Sequence, residues 1–393
     1  MKIRIVAEKW RWLLLAALLL VCCVGRTEAG NVSLVENDPQ SFSTSLYYYL
    51  DSGHRLTLGD VLHDSGIPWV HAKTASPNFG FVRGALWLKL DLPHAQQNAR
   101  RLFEIANHKI TNATVFLLHR SGSKSVLDRT YTITDSMPVR ERPYSSQNYV
   151  FPLELKTGVS QFLYIRLQND YPMKLPLNLW TLEQYQDQRE ARALFQGMYF
   201  GVVVIMAIYN LCIYLFVRDR SYGTYAVFIL CLAGYVLVDR GIAVQYLWPD
   251  NPTLDFRMTM VFTALGCGFS VPFTVSFLSL KENAPRIASA YRLLFWLWML
   301  IAFVAMVYPA VWLPFIVLLV LLPGGTSLFV VGVLMWRRGV PAAPYYTVAW
   351  AVLVGAAIIY DSLMLGFVPE SLFTEYSLQV GNMIEVTLPT CRE

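Results

Sequence analysis

Histidine is missing from most of the chain: all six, His54, His63, His71, His94, His108 and His119, precede residue 120. Everything beyond them offers no imidazole for a metal site or a proton relay. Lysine is nearly as scarce there, because after Lys174 only Lys281 remains, in a turn. A retinal-type Schiff base, which needs a lysine buried among helices, is thereby excluded. Cysteine is absent between residues 30 and 190, with Cys22 and Cys23 before and Cys212, Cys231, Cys267 and Cys391 after. That segment is no disulfide scaffold and must rely on an ordinary apolar core. Charge is thin as well: 15% of the 393 residues are Asp, Glu, Lys or Arg, against roughly 25% in a soluble domain. What fills the space is apolar, 55% of the residues with a mean hydropathy of +0.40, so much of the surface must lie in lipid. The 32 basic and 27 acidic residues give a net charge of +5, spread in short clusters beside apolar segments. This pattern fits membrane topology and no nucleic-acid partner.

The chain divides into four stretches. Residues 1–29 carry Lys2, Arg4, Lys9 and Arg11, an apolar run from Trp12 to Val24, and Thr27-Glu28-Ala29 with small residues where a signal peptidase reads; they are read as a cleaved secretory signal. Residues 30–185 are polar enough to fold in water. Leu86, Leu88, Leu90 and Leu92 alternate with Trp87, Lys89 and Asp91, the period of a half-buried strand. Further strands are expected at Arg101 to Ile105, Ala113 to Leu118, Ser146 to Leu155 and Gln161 to Leu167, with turns at Arg120-Ser121-Gly122-Ser123 and Lys156-Thr157-Gly158. The rhythm suits one all-β sandwich. Residues 186–388 hold seven apolar segments, Leu194 to Val217, Thr224 to Leu247, Met258 to Leu280, Ala288 to Tyr308, Val311 to Trp336, Tyr345 to Phe367, and one beginning near Leu372. The first six reach the roughly 20 residues a crossing helix needs. Pro272, Pro314, Pro323 and Gly324-Gly325 sit inside them as expected kinks. Residues 389–393 form a short tail.

Loop charge orients the helices. The turns after the first, third and fifth segments carry Arg218, Arg220, Lys281, Arg286, Arg337 and Arg338, whereas the others carry Arg240 and Arg257 with Asp250, Asp255, Glu370 and Glu375. The odd turns are therefore cytoplasmic and residues 30–185 lie outside. A cleaved signal demands the same.

No enzyme is legible. Asp239 and Asp361 are the two aspartates within the apolar segments, both near the outer boundary, and read as interfacial polar caps. No cofactor is called for, and no set of metal ligands is identified. In the outer domain Trp87, Arg142, Arg166, Asn169 and Asp170 are the candidate ligand residues, expected on one face or rim: an aromatic can stack on a sugar ring while guanidinium, amide and carboxylate groups bind hydroxyls or calcium. A transporter or channel, or a membrane-anchored binding protein, remains the alternative to a sensor.

Several runs resemble one family in order. They are Ala85-Leu86-Trp87-Leu88-Lys89-Leu90, Arg142-Pro143, Tyr149-Val150-Phe151-Pro152-Leu153 and Phe162-Leu163-Tyr164-Ile165-Arg166-Leu167, then Phe195-Gln196-Gly197, Tyr209-Asn210-Leu211, Arg218-Asp219-Arg220-Ser221-Tyr222, Tyr246-Leu247-Trp248-Pro249 and Gln379-Val380-Gly381-Asn382-Met383-Ile384-Glu385. Together they are similar to bacterial seven-transmembrane receptors with diverse intracellular signalling modules. The resemblance implies a jelly-roll sandwich related to carbohydrate-binding modules in the periplasm, a seven-helix bundle in the inner membrane, a small-molecule, glycan or calcium ligand, and a cytoplasmic or membrane signalling partner. Relatives continue the seventh helix into an output domain. Here Tyr376 to Leu388 is about 20 Å of helix, short of a roughly 30 Å hydrocarbon core, and Pro389 follows. The last helix is thus expected to be incomplete and the chain truncated.

Overall fold

The computed structural model describes residues 46–387 apart from 64–65, 73–75, 94–96, 123, 170–171, 309–311 and 370. The expected signal segment, Asp170 and the tail lie outside the described residues.

Among the described residues nine strands build the outer domain: β1 (Leu46–Asp51), β2 (Val70–His71), β3 (Ala85–Asp91), β4 (Ala99–Ile105), β5 (Asn112–Ser121), β6 (Lys124–Thr134), β7 (Tyr149–Leu155), β8 (Gln161–Gln168) and β9 (Leu177–Trp180). Six form one antiparallel sheet in the order β2-β1-β3-β8-β5-β6, and three form a second in the order β7-β4-β9. The alternation at β3 points Leu86, Leu88 and Leu90 into a core shared with Ile165 and Val115 of the same sheet and with Phe103, Ile105, Tyr149 and Phe151 of the other. Two sheets with one apolar filling make a sandwich. Gly84 enters β3 at φ +124°, and a Cβ there would lie 2.6 Å from the Asp51 carbonyl oxygen, so this close turn admits only glycine.

The outer face of the six-stranded sheet is covered too. Helix α1 (Leu58–His63) and the segment around Ile67 and Trp69 bury Trp87, Leu118, Phe162 and Tyr164 in a second cluster. Alternation in β3 therefore separates two buried faces, where the sequence pattern suggested one buried and one wet.

The helical part comprises α2 (Leu182–Val217), α3 (Arg220–Asp239), α4 (Ile242–Tyr246), α5 (Leu254–Phe277), α6 (Leu280–Asn283), α7 (Pro285–Val307), α8 (Leu313–Arg337), α9 (Ala343–Met364) and α10 (Leu372–Thr387). Six of these, α2, α3, α5, α7, α8 and α9, are long and apolar enough to cross a membrane; α10 is the seventh helix, with 16 described residues. Pro272 and Pro323 lie inside helices as expected, but Pro314 occupies the first turn of α8, where its missing N–H is no loss. Gly381 lets α10 meet α9: a Cβ there would fall 2.3 Å from that of Ala356.

The two parts join without a linker. Trp180 is the last residue of β9, Thr181 caps α2, and Thr181 Oγ1 accepts from the Gln184 amide at 3.1 Å while Gln184 Oε1 accepts from the Thr181 amide at 3.0 Å. This capping box starts the helix at the edge of the sheet. At 1.5 Å per residue the 36 residues of α2 span about 54 Å, well beyond a roughly 30 Å hydrocarbon core, so its first turns stand outside the membrane. The domain boundary expected at 185 falls in the first turn of this helix.

Candidate functional site

Strand β4 alternates like β3, with Phe103 and Ile105 inward and Leu102 and Glu104 on the opposite face, where α2 packs. Glu104 is wholly buried, and four donors converge on its carboxyl group. Oε1 accepts from Asn148 Nδ2 at 2.7 Å and from Arg192 Nη1 at 3.1 Å; Oε2 accepts from Trp180 Nε1 at 2.8 Å and from Asn178 Nδ2 at 3.4 Å. Three donors come from the sandwich and the fourth from α2. A buried carboxylate is tolerable only when paired and hydrogen-bonded, and here both conditions are met across the two parts of the molecule.

A second set of contacts ties loops of the sandwich to the turns that follow α3, α5's N-terminal end and α9. Lys109 Nζ lies 2.7 Å from Asp239 Oδ1 at the end of α3, and the Tyr360 hydroxyl donates to the other Asp239 oxygen. His108 Nε2 stands 3.4 Å from Asp255 Oδ2, without hydrogen-bond alignment. The Val139 amide donates to the Pro249 carbonyl at 2.8 Å, and Asn78 Nδ2 to the Leu363 carbonyl at 2.6 Å. Asp239, the last residue of α3, thus takes its cation from the sandwich. The turns that touch the sandwich are those poor in basic residues, which agrees with the orientation read from loop charge.

Between these contacts lies a cavity of about 330 Å3. Its walls include Arg189 and Arg192 of α2, Arg240, His108, Glu375 and Tyr376. Arg240 donates from Nη1 to Glu375 Oε1 at 3.2 Å, and its guanidinium lies 4.7 Å from the Tyr376 ring centroid.

The residues singled out from sequence are not brought together on one rim. Trp87 is fully buried, stacked on Phe116 with ring centroids 6.1 Å apart, beneath α1; the cover over the outer sheet face removes it from any ligand. Arg166 stands opposite Trp87 in the register and shares its sheet face. Arg142 lies elsewhere, in the loop before β7. Its Nη1 donates to the Ser146 carbonyl at 3.3 Å and its guanidinium covers the Tyr149 ring at 5.0 Å. Burial lowers the Arg142 pKa and raises that of the Tyr149 phenol, so each group suits a packed loop. Asn169 is buried, and its Oδ1 accepts from the Thr111 amide at 3.2 Å, a tertiary contact that ties the end of β8 to the residue before β5. Asp170 lies outside the described residues. Among the described residues no three His, Cys, Asp or Glu side chains converge as metal ligands.

Glu104, Asn148, Asn178, Trp180 and Arg192 were not anticipated. The signal was present in Leu102-Phe103-Glu104-Ile105, where a carboxylate holds an alternate position among apolar residues, and in Arg192, the last charge before the apolar run of α2.

Comparison with known proteins follows the same division. Residues 43–181 match the family model described as 7TMR-DISM extracellular 2, and residues 192–391 match the one described as 7TM diverse intracellular signalling. A curated protein, "GTPase Obg" of Desulforudis audaxviator (strain MP104C), is 35% identical over 83 residues, which cover 21% of this chain and 19% of that protein. The chain thus spans about a fifth of that relative's length, and the similarity carries no functional argument. The second family model alone takes in just over half of the chain, and the first precedes it in the expected order. The chain belongs to the seven-transmembrane receptors with diverse intracellular signalling, as a multi-pass membrane protein with an extracellular sensory domain and an intracellular signalling role.

Proposed function

We propose that this receptor works in a bacterial inner membrane, with its sandwich in the periplasm, and that it relays solute binding at the sandwich to the bundle by moving α2 as a rigid rod. The observation that carries this reading is the junction itself: β9 runs into α2 through a single cap residue, and the buried Glu104 of the sheet is held by Arg192 one α2 segment further along. Two attachments at different heights fix the angle between sheet and helix. A change in the packing of β4 or β9 must tilt or rotate α2. The sensed ligand is a small polar solute, such as a sugar or sugar derivative. The abundance of amide, hydroxyl and guanidinium groups around the junction supports this, and calcium is disfavoured by the scatter of the carboxylates. Output passes to a cytoplasmic or membrane signalling partner that reads the inner ends of the helices, near Arg218, Arg220, Arg337 and Arg338.

Hydrogen exchange on the full chain in nanodiscs tests the coupling. Glu104→Gln is expected to raise exchange in β4 and β9 and also along α2 toward Tyr199. Changes confined to the sandwich would separate the two parts and defeat the reading.

A further inference from the structure

The junction cavity has a charge balance that its own ion pairs do not close. Three guanidinium groups line it, those of Arg189, Arg192 and Arg240, together with the carboxylates of Asp239 and Glu375. Each carboxylate is already matched, Asp239 by Lys109 and Glu375 by Arg240, while Arg192 is matched by Glu104 behind the wall. Arg189 is left with no carboxylate partner among the described residues. It stands three residues before Arg192 on α2, on the same side of the helix. Across the cavity the His108 ring packs against Gly241, where a Cβ would come within 3.0 Å, with its Nε2 turned to the Asp255 carboxylate at 3.4 Å. The remaining walls mix the amides and hydroxyl of Gln147, Gln245 and Tyr246 with apolar Ala106, Ala193, Phe200 and Ile242, which suits a small polar body with an apolar edge.

We infer that this cavity binds an oxyanion, a carboxylate or phosphate group carried on a small polar molecule, with Arg189 as its principal ligand and Arg240 closing the opposite side. Guanidinium groups recognise carboxylate and phosphate through paired charge-assisted hydrogen bonds, and a partly enclosed site strengthens them. About 330 Å3 lies at the lower end of the range for small-ligand pockets, room for a sugar acid or a phosphorylated headgroup and little more. Because Arg192 and Arg240 also hold the sandwich to α2 and α3 to α10, an arriving anion competes with Glu104 and Glu375 for them. Occupancy is thereby linked to the junction geometry. This inference rests on the sensory reading above and supplies the class of ligand.

The oxyanion has two possible sources, a soluble acid and the headgroup of an anionic lipid in the outer leaflet. Full-length protein in phosphatidylcholine nanodiscs, at constant ionic strength, would be titrated with glucuronate, inorganic phosphate and glucose while its melting temperature is followed. The same protein would be reconstituted with phosphatidylglycerol. A saturable rise with glucuronate or phosphate but not glucose, weakened at least tenfold in Arg189→Gln, identifies a soluble ligand. A higher melting temperature in phosphatidylglycerol discs alone, absent in Arg189→Gln, identifies a headgroup. Arg189 is exposed, so the variant's unliganded melting should match the parent. No response in any arm, or an equal response in the variant, would overturn the inference. It would leave the coupling reading intact, since exchange along α2 decides that separately.

Discussion

Replacing Arg192 by glutamine removes the cation from a carboxylate that is wholly buried, while the arginine side chain itself is 26% exposed. Breaking a buried pair by deleting one partner typically costs about 3–5 kcal/mol. Asn148, Trp180 and Asn178 still donate to Glu104 after the change, and the arginine is partly hydrated, so the lower end, about 3 kcal/mol, applies. At about 1.4 kcal/mol per tenfold this is roughly a hundredfold faster opening for the amides of β4, β9 and the first turns of α2, read by native-state hydrogen exchange in nanodiscs. Glu104→Gln replaces one acceptor oxygen by a donor that must face other donors on either side, a loss of about 1–3 kcal/mol. In the double variant the two losses should fall short of additivity by about 2 kcal/mol. Arg140→Gln is the control, because its contact with Asp250 at 3.6 Å joins side chains 73% and 68% exposed and should contribute little. An effect below threefold for Arg192→Gln, or an additive cycle, would refute the argument that this pair locks sheet to helix.

Further outcomes follow from the same geometry. Lys109→Met should leave Asp239 without its cation and accelerate limited proteolysis in the segment after α3, and adding Asp239→Asn should restore part of the protection by removing the unpaired charge. Burial alone would raise the pKa of Asp128, but hydrogen bonds from Lys156 and His119 and their charges hold it below the ordinary value. Its contribution to stability is therefore complete above about pH 4 and is lost as pH falls through the lower folded value, so the acid limb of a melting profile should be shallower in Asp128→Asn. Gly381→Ala must push α10 from α9, at a cost of about 1–3 kcal/mol, and Ala356→Gly in the same chain should recover most of the loss in thermal melting.

What was legible in the sequence was periodicity. The alternation of Leu86, Leu88 and Leu90 located β3 and its core face, and the apolar runs located the long helices, because both patterns are local consequences of burial; α2 begins twelve residues before Leu194, and α3 ends at Asp239, eight residues before Leu247. β1, β2, β6 and β9 carry no such signal for physical reasons: β1 holds a run of three tyrosines without alternation, β2 has two residues, β9 has four, and β6 is an edge strand with mostly exposed side chains. The candidate ligand residues are a different case. Trp87 looked available because nothing in its own strand says that α1, some 25 residues upstream, folds over it. Glu104 looked like any strand carboxylate, and its role depends on Arg192, 88 residues away in the sequence and in another domain. Sites made between domains leave no spacing to read.

The structure adds a reason why α2 can act at both ends. Arg192, Gln196 and Tyr199 follow one another at spacings of four and three, which sets them on one stripe of the helix. Arg192 reaches the sandwich through Glu104; Gln196 accepts from Gln379 of α10 at 2.7 Å; Tyr199 donates to Asn382 of α10 at 2.9 Å. One turn further along α10, Glu385 accepts from the Tyr225 hydroxyl of α3 at 3.1 Å. These are directional bonds in a lipid-facing bundle, where apolar surface alone gives helices little preference for one neighbour over another. They fix the rotation and height of α10 relative to α2 more sharply than side-chain packing would. Gln196 and Tyr376 both line the junction cavity as well, so the stripe begins at the cavity wall and continues into the bundle along α10. A rotation of α2 that strains the Glu104 bond strains the Gln379 and Asn382 bonds in the same sense, because one rigid helix carries all three partners.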